Sequence, residues 1–152
     1  LKSCWTEIKL KNWLELRSID CVPPHLIPSI PALVRGITRN TAVMHEVRDL
    51  MSRYNFVEYC EIRDAANKDA LAASLPDGRK LLTIAKALLE VASASLKEYH
   101  DEVRGSADAS RLLWPIKEYV FVREQSPAEY VMEMWNGEWR RNPYRLLEWS
   151  ES

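Results

Sequence analysis

The sequence predicts a mainly α-helical chain of about six helices, preceded by one N-terminal strand. Three observations favour this fold class: apolar and charged residues alternate at the start, apolar residues then recur every three or four positions, and two capping patterns mark helix starts. A lone strand cannot satisfy its own backbone N–H and C=O groups. We therefore expect the strand to join a sheet that another part of a larger protein supplies.

The alternating segment covers residues 7–20, with the apolar positions on one parity and the charged positions on the other. These positions are Ile8, Leu10, Leu14 and Leu16 against Lys9, Lys11, Glu15 and Arg17. A period of two is typical of a strand with one buried face. Glu15 and Arg17 then share a charged face that can hold a metal ion and a phosphate side by side. The alternative is a solvated face, or an ion pair that stabilises by under ~1 kcal/mol.

Prolines at positions 23 and 24 end the strand, and the helical part begins after them. The first two expected helices run from Pro28 or Pro31 to about Arg39 and from Thr41 to Tyr54. A third starts at a capping box formed by Asn55 and Glu58 and ends at about Asn67. Two more run from about Arg79 to Glu102, with Asp77 as a candidate cap, and from about Asp108 to Arg123. A last helix starts at Ser126, where Pro127 and Glu129 complete the clearest capping box in the chain. It should end near residues 136–137.

Residues 137–152 are expected to form an irregular tail. Its aromatic and basic residues are Trp139, Arg140, Arg141, Tyr144, Arg145 and Trp149. Interleaved aromatics and arginines can bind single-stranded nucleic acid. Acidic residues dilute the charge of this segment, however, so we favour packing of the tail across the helices.

Composition excludes several classes of protein. The chain has 152 residues, of which 47% are hydrophobic, and a net charge of −1, so neither disorder nor a nucleic-acid or membrane partner is expected. The three cysteines are widely spaced, which suits reduced thiols in the cytoplasm better than a disulfide framework. The three histidines show no metal-binding spacing. The first residue, Leu1, is expected of a chain that begins inside a larger protein, of a truncated reading frame or, equally, of an engineered boundary.

Three segments, in this order, resemble the glutamate–cysteine ligases of the plant-type and proteobacterial branch. They are residues 13–20 (WLELRSID), residues 62–66 (IRDAA) followed by 78–82 (GRKLL) and 85–86 (AK), and residues 126–129 (SPAE) followed by 135–139 (WNGEW). The resemblance implies that the chain is the C-terminal portion of an α+β glutamine-synthetase-like fold. Residues 1–21 would be a sheet strand, 25–136 the helical part and 137–152 the tail. Arg140, Arg141 and Ala70 depart from the family, which has glycine or small glycine-rich residues there.

The resemblance also implies an activity. Such ligases use ATP and Mg²⁺ to join glutamate to cysteine through an acyl phosphate, in glutathione or related thiol biosynthesis. Glu15 corresponds to a metal ligand, and Arg17 to a catalytic arginine that contacts the ATP phosphate and the substrate carboxylate. Most of the nucleotide and cysteine sites would lie in the missing N-terminal portion, so the isolated chain should be inactive. The alternative is a non-catalytic helical module whose strand docks on a partner's sheet edge.

Overall fold

The computed structural model describes residues 8–10, 14–16, 22–103 and 105–151. These residues contain seven α-helices: α1 Ser29–Thr38, α2 Thr41–Met51, α3 Phe56–Asp69, α4 Leu81–Glu102, α5 Trp114–Lys117, α6 Pro127–Asn136 and α7 Pro143–Glu151. The prediction of a mainly α-helical chain is therefore confirmed. No described helix combines the length and the apolar character that crossing a bilayer demands.

In the described residues the predicted N-terminal strand is present as two short strands. β1 Ile8–Leu10 and β2 Leu14–Leu16 pair antiparallel, with Ile8 opposite Leu16 and Leu10 opposite Leu14. The three intervening positions preserve the parity of the alternating pattern, so the same sequence serves one strand or a hairpin. A hairpin also satisfies within the chain part of the backbone hydrogen bonding that a lone strand leaves open.

The main core lies where α1 crosses α4. Its buried residues come from α1, from α4 and from the segment that follows α4. They are Ala32, Leu89, Ala92, Leu96, Leu113 and Val120. Gly36 of α1 approaches α4 so closely that a Cβ atom at this position would lie 2.8 Å from the Cβ of Ala92. A glycine is therefore required for the two helices to pack at this separation.

A second, smaller core joins α2, α3 and the start of α4. It consists of Tyr54, Ile62, Leu75 and Ile84. A turn at residues 75–78 closes beside it, because the Gly78 N–H donates to the Leu75 carbonyl at 2.9 Å. Gly78 has a φ of +82°, which glycine adopts without strain.

The two predicted capping boxes are present. Asn55 Oδ1 accepts from the Glu58 N–H at 3.1 Å, and the Glu58 carboxylate accepts from the Asn55 N–H at 2.8 Å. Ser126 and Glu129 form the same reciprocal pair at the start of α6. The predicted cap at Asp77 is wrong. Lys80 is the N-cap of α4, and the Asp77 carboxylate is instead engaged by other side chains.

Residues 109–123 differ from the single helix that their apolar spacing predicts. A 3₁₀ helix, Ala109–Leu113, leads into α5, and a wider π-helical turn, Glu118–Arg123, follows. Pro115 lacks an N–H and cannot continue the hydrogen bonding of a preceding helix, which explains why the regular helix restarts at Trp114. Glu124 ends the segment in a left-handed conformation, with a φ of +54°.

The prediction of an irregular tail is wrong, because residues 143–151 form α7. Asn142 Oδ1 accepts from the Tyr144 N–H at 3.0 Å and so supplies a capping contact at the start of this helix. Arg140 and Arg141, which precede it, both have positive φ. These two residues turn the chain between α6 and α7.

Candidate functional site

The predicted site centres on the N-terminal hairpin. Glu15 lies in β2, where the register places it opposite Lys9 of β1. Its side chain is half-buried and already has an interaction within the protein. Arg17 lies outside the described residues, so the predicted sharing of a face by Glu15 and Arg17 stays a prediction. The register is compatible with a carboxylate held at a fixed place for a metal ion, and equally with a cross-strand ion pair.

A magnesium ion would need more ligands than this region supplies. Mg²⁺ takes six oxygen ligands, usually one or two carboxylates together with waters and substrate phosphates. In the described part of the chain, no three His, Cys, Asp or Glu side chains lie close enough to share a metal ion. Glu15 is chemically suited to be one such carboxylate, but the described residues do not form a complete metal site by themselves.

The best-connected polar cluster lies at the turn before α4, and sequence reasoning missed it. The Tyr54 hydroxyl donates to Asp77 Oδ2 at 2.9 Å and accepts from Arg79 Nη2 at 3.0 Å. Arg79 Nε also donates to Asp77 Oδ2 at 2.9 Å. Burial opposes ionisation of Asp77, but the hydrogen bonds from Tyr54 and Arg79 outweigh it and lower the pKa of its carboxyl.

This cluster has a structural role. Tyr54 belongs to the second core together with Ile62, and Arg79 belongs to the segment 78–82 that resembles the ligases. The ring of Tyr54 and the ion pair together hold the end of α2 against the start of α4. The two parts of the middle resembling segment, residues 62–66 and 78–82, also meet here, because Leu81 packs against the core that contains Ile62.

The tail aromatics form a cluster with the rings of the preceding helices. Tyr130 of α6 lies edge-on to Tyr119 and to Trp139, with ring centroids 5.6 and 6.5 Å apart, and Trp149 of α7 packs on Trp139 at 6.4 Å. The guanidinium of Arg123 lies 4.8 Å from the centroid of the Tyr130 ring. Because Trp139 is buried, these rings are engaged in packing, as the sequence favoured, and are not arranged as a surface for stacking bases.

Burial within this cluster raises the pKa of the Tyr119 hydroxyl, and a hydrogen bond with Trp149 acts in the opposite direction. This bond connects the last helix to the π-helical turn. The cluster therefore explains why the tail folds as a helix on the protein surface.

An open groove of about 820 Å³ lies beside α5, and we call it the Trp114 groove. Its lining residues come from the 3₁₀ helix Pro24–Leu26, from α4 and from the segment that begins with α5: His25, Glu90, Trp114, Pro115, Lys117, Glu118, Phe121 and Val122. It contains none of the residues predicted to carry chemistry. No local feature of the sequence marks this groove, because its lining comes from three separated segments.

Comparison with known proteins shows where the similarity lies. The chain is 29% identical over 139 residues to the chloroplastic glutamate–cysteine ligase of Brassica juncea, which covers 91% of this chain and 26% of that protein. It is 28% identical over 142 residues to the enzyme of the same name from Medicago truncatula, and the match covers 93% of this chain and 26% of that protein. The corresponding protein of Arabidopsis thaliana is 29% identical over 148 residues, and the match covers 97% of this chain and 27% of that protein. No model of a protein family matches the chain.

The chain thus spans about a quarter of the length of the curated relatives it matches. Nearly all of it takes part in the similarity. The resemblance to glutamate–cysteine ligases predicted from three ordered segments is confirmed, and the coverage is consistent with one terminal part of such a ligase.

Proposed function

We propose that this chain is the C-terminal part of an ATP- and Mg²⁺-dependent glutamate–cysteine ligase. The observation that supports the proposal is a similarity that extends over 91–97% of the chain but over only 26–27% of the ligases. In the whole enzyme, ATP would phosphorylate the γ-carboxylate of glutamate. The α-amine of cysteine would then attack the acyl carbon and release phosphate, leaving γ-glutamylcysteine.

The residues of this chain would contribute at the hairpin. Glu15 would provide one carboxylate oxygen to Mg²⁺, a hard cation that prefers such ligands. Arg17 would place a planar, two-pronged donor against a phosphate or a substrate carboxylate, where a lysine cannot make the same paired hydrogen bonds. The remaining ligands, the nucleotide pocket and most of the cysteine site would come from the rest of the enzyme, which is the partner this chain requires.

The cellular compartment is a separate question. The relatives carry the word chloroplastic in their names. The cytoplasmic location predicted from the unpaired cysteines has no support from them and stays a prediction. Among the described residues, Cys60 is a free thiol, which is compatible with a reducing compartment.

The proposal is tested in the complete protein that contains this sequence. Glu15→Gln and Arg17→Lys should each reduce turnover at least ~100-fold, by analogy with loss of one group that stabilises a charged transition state. The measurement is phosphate release that depends on both glutamate and cysteine, with titration of Mg²⁺. Lys11→Gln, which removes a charge from the same segment, is the matched control and should retain turnover.

A charge exchange separates the metal-ligand role from a cross-strand ion pair. Since Glu15 lies opposite Lys9, the double variant Lys9→Glu with Glu15→Lys would restore a simple ion pair. We expect it to stay as inactive as Glu15→Gln, because a metal ligand must keep its position. Recovery of turnover in the double variant would assign Glu15 a structural role. A complete protein without ligase activity would instead favour the helical interaction module.

A further inference from the structure

The Trp114 groove is mainly apolar and open to solvent. The side chain of Trp114 is 72% exposed and that of Val122 is 77% exposed, while Phe121 is half-buried between them in the lining. Single exposed apolar residues are common on protein surfaces, but several of them around one concave surface mark an interaction site. Tryptophan is also the side chain most enriched among residues that dominate binding energy.

The charged residues around the groove divide into paired and unpaired groups. Lys86 donates to Glu124 at 2.6 Å and lies over the Phe121 ring, and Glu118 accepts from Arg123 at 3.1 Å. Glu90 and Lys117 also line the groove, and within the described residues neither has an ion-pair partner. The groove therefore offers an apolar surface flanked by one available carboxylate and one available ammonium group.

We propose that the Trp114 groove is the surface on which the remainder of the ligase packs against this chain. The proposal rests on the proposed function. The relatives carry roughly three quarters of their length outside the matched region, so a complete enzyme has ample chain to cover this surface. The complementary segment should present a large apolar side chain to Trp114 and Phe121. A basic side chain should face Glu90, and an acidic one should face Lys117.

Another exposed apolar site provides a matched comparison. Phe56 at the start of α3 is 81% exposed, but it lines neither of the two described cavities. The core of a stable interface requires shape complementarity, which an exposed ring outside these grooves does not by itself provide. Phe56 therefore serves as a control of the same chemical type.

The experiment compares hydroxyl-radical oxidation of individual side chains in the complete protein and in the 152-residue chain. Oxidation of Trp114 should fall at least ~5-fold in the complete protein, because a central aromatic residue is almost fully desolvated in an interface. In the complete protein, Trp114→Ser and Glu90→Lys should raise oxidation of Phe121 toward its value in the 152-residue chain. Phe56→Ser is one matched control, and Glu61→Lys, at an exposed glutamate of α3 away from the groove lining, is the other. Both should leave oxidation of Phe121 unchanged.

Two results would overturn the proposal. One is equal oxidation of Trp114 in both proteins. The other is protection of Trp114 in the 152-residue chain alone that increases with its concentration, which would identify a second copy as the occupant. Failure of the proposed function can be told apart from failure of this inference. If the complete protein protects Trp114 but forms no γ-glutamylcysteine, the docking surface is supported and the ligase assignment is wrong.

Discussion

The α1–α4 core and the N-terminal hairpin differ in what supports them. The core is continuous, with Ala92 and Leu113 fully removed from solvent by residues of the same chain. The hairpin consists of two strands of three residues each, and Leu16 on its apolar parity is 40% exposed. An isolated two-stranded hairpin is at best marginally stable in water. The region with candidate chemistry is therefore the one with less packing inside this chain.

This difference separates two tasks. The helices can fold around their own apolar residues, while the metal site proposed at Glu15 would need ligands beyond the described residues. This division fits the proposal that the chain is part of a larger enzyme. It also means that variants in the two regions should affect different measurements.

The largest difference in stability should come from shortening one leucine in each region. Leu113 is 0% exposed, and Leu113→Ala should lower the free energy of unfolding of the 152-residue chain by about 2–5 kcal/mol. Leu16→Ala should cost well under 1 kcal/mol in the same chain, since a half-exposed side chain leaves little cavity. Urea unfolding followed by circular dichroism measures both. Equal losses would contradict the contrast between core and hairpin.

A substitution at the helix crossing tests how closely the core is packed. In Gly36→Ala the new methyl group would lie 2.8 Å from both the Cβ and the carbonyl oxygen of Ala92. We expect a loss of about 1–3 kcal/mol, because packed helices must move apart to admit it. Ala92→Gly in the same background should recover only a small part of this loss, because it removes the clash with the Cβ of Ala92 but leaves those with its carbonyl oxygen and Cα. An unchanged midpoint of unfolding for Gly36→Ala would show that α1 can shift freely on α4.

The sequence was sufficient for local features and insufficient for distant ones. The boxes at Asn55 and Ser126 were predictable because each cap and its partner are three residues apart. Asp77 also has the composition of a cap, but Tyr54, 23 positions away, competes for its carboxylate. Nothing in the residues around Asp77 reveals that competition.

The same reasoning explains the strand and the tail. The alternating pattern is identical for one strand and for a hairpin with a three-residue connection, so parity could not choose between them. Helix α7 depends on contacts between Trp149 and rings of Tyr130 and Trp139, which come together only in the folded chain. Glu15 and Arg17 were identified as candidate site residues through a resemblance to ligases. The Trp114 groove is formed by three separated segments, so no single stretch of sequence could reveal it.

A smaller effect is expected from the cap of α6. Ser126→Ala removes the acceptor of the Glu129 N–H and should cost about 1 kcal/mol. Ser126→Asp should retain most of the stability, because a carboxylate can also accept that hydrogen bond at a helix N-terminus. Thermal unfolding of the 152-residue chain compares the two variants. If both lost the same amount, the hydroxyl would matter for packing and its capping role would be unsupported.

The smallest expected effect is a pH dependence of the stability, which arises from Asp77 beside the second core. The folded protein lowers the pKa of Asp77, so its carboxylate stabilises the fold fully above the ordinary carboxyl pKa of about 4. That stabilisation is lost as the pH falls through the lower folded-state pKa. The lowering depends on the donors Tyr54 and Arg79, so Tyr54→Phe should move the folded-state pKa back toward its ordinary value. Asp77→Asn should abolish this part of the pH dependence altogether.

The measurement is the unfolding midpoint of the 152-residue chain between about pH 2 and 6, compared for the unmodified protein and the two variants. Asp64→Asn is the control, since that carboxylate is exposed and pairs only with the adjacent Arg63 in the described structure. Its pH profile should match that of the unmodified protein. Identical profiles for Asp77→Asn and Asp64→Asn would mean that the Tyr54–Asp77–Arg79 contacts do not hold α2 to α4. Weak support would then extend beyond the hairpin to a second region of the described structure.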